Sequence, residues 1–234
     1  FSSICDVRII WGGDDTIAEI RKNQLPPRAF DVTFSDRYSL AVINADVLIN
    51  EPDIKNVAIG FYNDTYLFDQ NACTAPHLIV WLGKKDNIKM AKENFWNAVQ
   101  NEVDEKYDLQ SVIAIDKLTS FYRQAITSSI QLEKNINNIL IRVNSKELFN
   151  NIDTYRTLGG FFTEYDADSI NDIASIIKNN FQTLAYYGVN INELKEFVSN
   201  NKISGIDRIV PIGKTLDFSL YWDGYNLINT LSRV

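Results

Sequence analysis

Residues 7–21 read VRIIWGGDDTIAEIR, a β-rich run that a glycine pair separates from a helical pattern. Val7–Trp11 has the composition of a buried strand, and Gly12-Gly13 ends it. Two aspartates follow at positions that suit the first turn of a helix, which ends before a pair of prolines. Strand, turn and helix in this order predict half of a βαβ unit, and therefore an α/β fold.

The rest of the chain repeats this alternation of strand and helix patterns. We expect strands at Tyr38–Ile43, His77–Leu82, Ile139–Val143, Phe161–Tyr165 and Thr183–Tyr187. We expect helices at 54–65, 86–106, about 110–128, about 168–179 and 191–200. Strands that alternate with helices predict a largely parallel sheet.

Composition limits the classes of protein that the chain can belong to. Its 234 residues carry 23 Lys and Arg against 30 Asp and Glu, a net charge of −7, without blocks of basic residues that would neutralise phosphates. This argues against a nucleic-acid partner, and the absence of a run of about 18 apolar residues argues against a membrane span. Two cysteines cannot make a disulfide framework, so we expect the reducing environment of the cytoplasm. The chain begins at Phe1 and its one methionine is Met90, which is typical of a piece of a longer or processed polypeptide.

Common catalytic and phosphate-binding motifs do not occur in the sequence. The ten glycines form neither G-x-G-x-x-G nor the complete G-x-x-x-x-G-K-[ST] motif. One histidine and two distant cysteines cannot build a zinc site, so we expect no metal. A Ser-His-Asp triad would need His77, but no G-x-S-x-G accompanies it.

The pair Gly12-Gly13 has two interpretations. Glycines at a strand-to-helix junction leave backbone N–H groups available to bind a ligand oxygen, with help from the helix dipole. Alternatively, the pair makes a tight turn that needs positive φ angles. The residues alone leave both interpretations open.

Cys73 lies in the stretch DQNACTAP, a small and polar junction between a predicted helix and a buried strand. Junctions at the carboxyl side of such elements are where α/β folds keep ligands. A thiol there can attack a carbonyl while neighbouring N–H groups hold the oxyanion, and the alternative is an inert buried cysteine. His77 follows four residues later, but Pro76 favours a strand over a helix, so contact between the two side chains is not expected.

The two cysteines are expected to differ in role. Cys5 directly precedes a predicted core strand, so we expect it to be structural and buried. Cys73 is expected at the edge of the main cleft, where a substrate can reach it.

Several blocks of the sequence occur in the order and approximate spacing of a known superfamily. They are Val7–Asp14, Phe34–Ser39, Asp69–Cys73, Gly205–Pro211 and Trp222–Tyr225. On these blocks the chain resembles the aldehyde dehydrogenase superfamily, and more closely the long-chain acyl-CoA (fatty acid) reductases of the LuxC family, over essentially its whole length. The resemblance implies the carboxyl-terminal half of such a reductase, with a three-layer α/β/α catalytic domain and a remnant of a Rossmann-type cofactor domain.

The resemblance also implies that different segments of the chain have different functions. Residues 1–30 would be the remnant of the dinucleotide-binding domain, and residues 31–234 the domain that forms the thioester. Cys73 would be the catalytic nucleophile that takes up the acyl group. Gly12 and Gly13 would lie beside the nicotinamide of NADPH, whose hydride releases a fatty aldehyde. This half alone is expected to be inactive.

The resemblance further implies partners. The acyl donor would be a fatty acyl-CoA or an acyl group handed over by an acyl-protein synthetase. The enzyme would work as a homo-oligomer in a fatty acid reductase complex that supplies aldehyde for bacterial bioluminescence.

The sequence departs from the superfamily at two functional segments. Thr33 stands where superfamily dehydrogenases carry a glutamate that activates water, and a threonine cannot act as a general base near neutral pH. The loss suits a reductase, because the acyl-enzyme must wait for hydride. The superfamily's Glu-x-Phe-Gly-Pro appears here as Arg156-Thr157-Leu158-Gly159-Gly160, which alters the segment that contacts the nicotinamide ribose.

Two other interpretations stay open. One is a non-catalytic binding or assembly module built on the same scaffold, since a fold does not guarantee an activity. The other is an ordinary NAD(P)-dependent aldehyde dehydrogenase that makes acid, which the missing glutamate disfavours.

Overall fold

The described residues, 1–133 and 137–232 of a computed structural model, are organised around parallel strands. The strands are β1 (Val7–Trp11), β2 (Phe30–Phe34), β3 (Tyr38–Asn44), β4 (Pro76–Leu82), β5 (Ile130–Leu132), β6 (Ile141–Ser145), β7 (Phe161–Ala167), β8 (Phe181–Tyr187), β9 (Arg208–Pro211), β10 (Tyr221–Trp222) and β11 (Tyr225–Asn226). The α-helices are α1 (Asp14–Arg21), α2 (Ala45–Leu48), α3 (Ile54–Thr65), α4 (Lys85–Lys106), α5 (Ser111–Thr127), α6 (Ile191–Asn200) and α7 (Leu227–Leu231). Short 3₁₀ helices lie at Tyr66–Phe68, Ile152–Thr154 and Ile170–Ile176.

The chain divides into two units by its internal contacts. One unit joins Phe1–Arg37 to the residues from Phe218 onward, and the other is Tyr38–Asp217. The predicted division at residues 30 and 31 assigns functions rather than contacts, and it stays a prediction.

The first unit contains the strand–turn–helix predicted from residues 7–21. β1 and β2 pair in parallel with Ile10 opposite Thr33, and α1 connects them. Its small core packs Val32 and Phe34 against Trp222 from the carboxyl-terminal hairpin. The βαβ prediction is confirmed, although β2 itself was not predicted.

The second unit is built on a sheet of the order β5-β6-β7-β4-β3-β8-β9. All neighbours in it are parallel except the pair β5 and β6. β3 and β4 lie at the centre and are buried on both faces, as their continuous apolar sequences predict.

Both faces of this sheet are covered, which gives three layers. One core packs α3 and α4 against the sheet, with Phe61, Phe95 and Trp81 fully buried. The opposite core packs α6 and the 3₁₀ helix Ile170–Ile176 against Leu40, Val42 and their neighbours. The predicted α/β fold with a largely parallel sheet is therefore confirmed. Within the described residues, no helix is both long enough and apolar enough to cross a bilayer.

The structure corrects one predicted helix. The pattern at 168–179 predicted an α-helix, but a 3₁₀ helix at Ile170–Ile176 stands there. Ile173 and Ile176 are both buried, and an i, i+3 spacing puts two residues on one side of either kind of helix. The spacing therefore could not distinguish them.

Candidate functional site

Cys73 lies in a loop between the 3₁₀ helix Tyr66–Phe68 and β4, and it is half-buried. Its carbonyl oxygen accepts a hydrogen bond from Ser39 Oγ at 2.7 Å. Because the loop precedes β4, Cys73 lies at the amino end of the parallel strands. We expected the junction that contains Cys73 on the carboxyl side of the strands, and it lies on the amino side instead. The chain reverses just before β4 through two residues with positive φ, Asp69 (53°) and Gln70 (59°).

Gln70 fastens this loop to the start of β7. Its fully buried side-chain amide donates to the carbonyls of Pro76 and Phe161, each at 3.0 Å. Its side-chain oxygen accepts from the N–H groups of Gly160 (2.9 Å) and Phe161 (3.0 Å). All the hydrogen-bonding capacity of the amide is thus used on backbone groups, which fixes the loop rigidly.

The segment that replaces the superfamily's Glu-x-Phe-Gly-Pro packs on the same loop. Gly159 N–H donates to the Asp69 carbonyl at 2.8 Å, and Arg156 Nη2 donates to the Asn71 carbonyl at 2.6 Å. Gly160 has a φ of +86°, and a side chain there would overlap the Tyr66 hydroxyl. Glycine is therefore required at 160 by both backbone angle and space. Arg156 contacts the chain two residues before the candidate nucleophile.

His77 belongs to β4, and its side chain is buried. Its ring stacks on Tyr38 with centroids 5.6 Å apart, and neither ring nitrogen has a hydrogen-bond partner among the described residues. Burial, together with the charge of Arg156, lowers the pKa of His77 to about 3. The ring is neutral at pH 7, so it cannot supply a cationic partner for Cys73.

Gly12 and Gly13 lie in the other unit, between β1 and α1. Gly13 has φ −62° and ψ 164°, and neither glycine has a positive φ. The tight-turn interpretation is therefore wrong. Their small size has another reason: a Cβ on Gly12 would lie 3.1 Å from Thr16 Cγ2, and one on Gly13 would lie 2.9 Å from Asp36 Oδ2.

The N–H groups of this turn are not equivalent. Gly12 N–H already donates to the Phe34 carbonyl at 3.1 Å, so it is committed to pairing with β2. Gly13 is the N-cap of α1 and makes no side-chain cap. The ligand-binding interpretation needs a residue at the amino terminus of a helix, where backbone N–H groups lack partners within the helix. Of the two glycines, only Gly13 is at that position.

Thr33 faces a cavity of about 270 Å³ beside α1. Asp14, Ile17 and Arg21 of that helix and Ser35 contribute to its walls. Cys5, in the same unit, is half-buried, and its Sγ lies 3.6 Å from the Ser2 carbonyl. The expectation of a fully buried Cys5 is wrong, because the few residues before β1 do not cover it.

Sequence reasoning missed Ser39 as a residue of the site. It is a fully buried hydroxyl next to the apolar run Leu40–Ile43 of β3, and it also accepts from Thr183 N–H at 3.1 Å. A polar residue inside a core strand was the available signal.

Comparison with known proteins identifies relatives along the whole chain. The profile of the family described as acyl-CoA reductase (LuxC) matches residues 1–234. A long-chain acyl-protein thioester reductase 2 of Photobacterium leiognathi is 34% identical over 86 residues, 37% of this chain and 17% of that protein. A long-chain acyl-protein thioester reductase of Aliivibrio fischeri is 24% identical over 215 residues, 89% of this chain and 41% of that protein. The chain thus spans less than half the length of these relatives.

Comparison with solved structures identifies proteins that share this fold. A Δ-pyrroline-5-carboxylate dehydrogenase of Mycobacterium tuberculosis, bound with NAD and cobalamin, has a TM-score of 0.61 at 8% identity. The match covers 90% of this chain and 42% of that chain. At this identity the likeness concerns the fold, which is that of the aldehyde dehydrogenases, as predicted. With this fold and a family match along all 234 residues, the chain belongs to the acyl-CoA reductase (LuxC) family.

Proposed function

We propose that this chain carries the thioester-forming part of a reductase that converts a long-chain fatty acyl thioester into a fatty aldehyde. Cys73 is the nucleophile. The observation that carries this proposal is the anchoring of the Cys73 loop, through Ser39, Gln70 and Arg156, at the amino ends of the central strands. A nucleophile held on a rigid element attacks without a large ordering cost. The names of the two reductase relatives support the reaction class.

The first half-reaction uses the sulfur of Cys73. Its thiolate attacks the acyl carbonyl, and the carrier thiolate leaves as the tetrahedral intermediate collapses. The acyl group is then held as a Cys73 thioester. We expect the backbone N–H of Cys73 to share the charge of the oxyanion.

The second half-reaction needs a reduced nicotinamide cofactor, for which we propose NADPH. When bound, it would supply the hydride that reduces the acyl-cysteine carbonyl, after which the aldehyde departs and the thiolate is regenerated. Gly13 and the start of α1 suit the nicotinamide end. The helix terminus has no side-chain cap, and the carboxylates of Asp14 and Asp15 disfavour a phosphate there. The dehydrogenase with this fold is itself described as bound with NAD.

Thr33 favours reduction over hydrolysis. Its hydroxyl cannot take a proton from water near pH 7, so the acyl-enzyme persists until hydride arrives. This residue separates the proposed reductase from a dehydrogenase that makes acid.

The same proposal includes the acyl donor, the assembly and the biological role of the enzyme. The acyl donor is a fatty acyl-CoA or the acyl group of an acyl-protein synthetase, and the enzyme acts as a homo-oligomer in a fatty acid reductase complex in the cytoplasm. Supply of aldehyde for bioluminescence is the role we propose for it.

Acyl labelling of the full-length protein tests the function. Incubation with a radiolabelled long-chain acyl-CoA, without cofactor, should give a stable thioester that hydroxylamine cleaves. Cys73→Ser should abolish both labelling and NADPH-dependent aldehyde formation, whereas the matched control Cys5→Ser should keep both. Rapid release of free acid would instead indicate a hydrolysing dehydrogenase. Absence of any labelling would indicate a binding or assembly module, and labelling of the Cys73 variant would mean another nucleophile.

A further inference from the structure

The outer face of α5 carries large apolar side chains that are exposed. The inner face of this helix is buried, at Ile113, Lys117 and Gln124. Four apolar side chains on the opposite face are between 57% and 82% exposed: Val112, Ile115, Tyr122 and Ile126. A helix that is apolar on both faces is normally covered on both, and a contiguous exposed apolar surface marks a site of interaction.

These side chains follow the seven-residue repeat of a coiled coil. From Val112 the spacing alternates between 3 and 4 residues, through Ile115, Thr119 and Tyr122 to Ile126. Residues at this spacing lie within an arc of about 80° on a helix of 3.6 residues per turn. These five residues, which we name the outer seam of α5, form one stripe along the whole helix. Such a stripe fits a second helix.

The two exposed charges of α5 lie on one flank of the outer seam. Asp116 follows Ile115 and Arg123 follows Tyr122, so both charges occupy the same position of the seven-residue repeat. When two identical helices pack antiparallel, a two-fold axis brings this flank of one helix against the same flank of the other. Opposite charges on one flank therefore attract each other between two copies of α5.

The charges select one register of that antiparallel pair. With the axis between residues 120 and 121, Ile115 lies in one layer with Ile126 of the second copy, and Asp116 lies beside Arg123 of the second copy. The ion pair occurs twice because of the symmetry. A slide of seven residues in either direction would pair Asp116 with Asp116, or Arg123 with Arg123, and both contacts repel. The sequence therefore favours one arrangement over its nearest alternatives.

We propose that the outer seam of α5 is a contact surface for a second copy of the protein, with the two helices packed antiparallel around a two-fold axis. The inference rests on the proposed function only in that it assigns a surface to the proposed homo-oligomer. A helix of this length spans about 25 Å, which covers less than the about 800 Å² per partner of a standard interface. We therefore expect micromolar self-association through this contact.

Sedimentation equilibrium of the full-length protein tests the surface. Ile115→Glu puts a charge into both outer seams of the pair, so it should halve the mass of the assembly. Met90→Glu, which changes an exposed apolar residue of α4, is the matched control and should leave the mass unchanged. A parent that does not self-associate at micromolar concentrations, or an unchanged mass in Ile115→Glu, overturns the inference. If that variant also unfolds at lower urea, another part of the same chain covers α5.

Charge reversal tests the register. Asp116→Arg or Arg123→Asp turns both attractive pairs into repulsive ones, so each should raise the dissociation constant about tenfold or more. The double variant Asp116→Arg/Arg123→Asp restores opposite charges and should bind nearly as the parent does. High salt should reduce the difference between the parent and either single variant. A double variant as weak as the single ones overturns the antiparallel arrangement.

Acyl labelling of the parent protein separates this inference from the proposed function. An unlabelled parent that associates through α5 would overturn the proposed function and support the contact surface. A labelled parent whose mass does not depend on α5 would overturn the contact surface alone.

Discussion

Single side chains hold the backbone around Cys73. Ser39 Oγ donates to the Cys73 carbonyl, and the Gln70 amide ties the same loop to Phe161. The sequence identified Cys73 by its small, polar surroundings, but hydrogen bonds between residues about 90 positions apart have no periodic signal. Cys73 was therefore predictable as a candidate nucleophile, which it remains, whereas most of the hydrogen bonds that hold its loop were not predictable.

His77 should make stability depend on acidity. The pKa of His77 in the folded chain is about 3, below its ordinary value of 6.5. Below pH 6.5, His77 therefore becomes protonated in the unfolded chain and stays neutral in the folded chain. The free energy of unfolding therefore falls as pH falls, by about 2 kcal/mol between pH 7 and pH 5 from this residue. Urea unfolding of the parent and His77→Phe at both pH values measures it. The free energy of unfolding of the variant should change less between the two pH values than that of the parent. An equal change in both proteins would contradict the role of His77.

At the scale of elements, continuous apolar runs predicted the buried strands, and apolar residues at helical spacing predicted the helices. β4 and α4 were predicted within one residue at their ends, because buried strands and amphipathic helices have strong patterns. β2 was not predicted, although its sequence, FDVTF, alternates apolar and polar residues as a half-buried strand does. β9 was missed because it is a short edge strand that ends in Pro211, a residue that edge strands tolerate.

The connection between the Cys73 loop and β7 depends on Gln70. Gln70→Leu leaves two carbonyls and two N–H groups buried without partners, so it should lower the free energy of unfolding by about 3 kcal/mol or more. Acyl labelling of Cys73 should slow by more than the unfolded fraction explains, because the loop is released. Gln24→Leu, at an exposed position, is the control. A destabilised variant that labels at the parent rate would show that the contact is only structural.

At the scale of the whole molecule, one buried carboxylate joins the elements of the second unit. Glu164 of β7 is fully buried and accepts from Trp81 Nε1 (2.8 Å) of β4, Trp96 Nε1 (3.0 Å) of α4 and Arg142 Nε (2.7 Å) of β6. Lys92 Nζ lies 3.8 Å away. A single charge therefore pairs with groups from both the sheet and the helical layer above it.

Removing that charge should weaken the whole unit. Glu164→Gln leaves the partly buried Arg142 without its carboxylate, so we expect a loss of about 3 kcal/mol in the free energy of unfolding. Tryptophan fluorescence should shift, because both indole N–H groups lose a charged acceptor. Chemical denaturation against Glu193→Gln, a change on the exposed side of α6, measures the difference. A loss no larger than that of the control would show that the carboxylate is dispensable.

The order of the strands also has a consequence for how the chain is made on the ribosome. β3 has β4 on one side, but its other partner, β8, follows about 140 residues later. At about 5–20 residues per second, synthesis leaves that edge of a mostly apolar strand unpaired for on the order of ten seconds. An unpaired apolar edge is a template for wrong pairing between nascent chains. We therefore expect the speed of translation and the supply of chaperones, rather than the final stability, to set the yield of correctly folded chain.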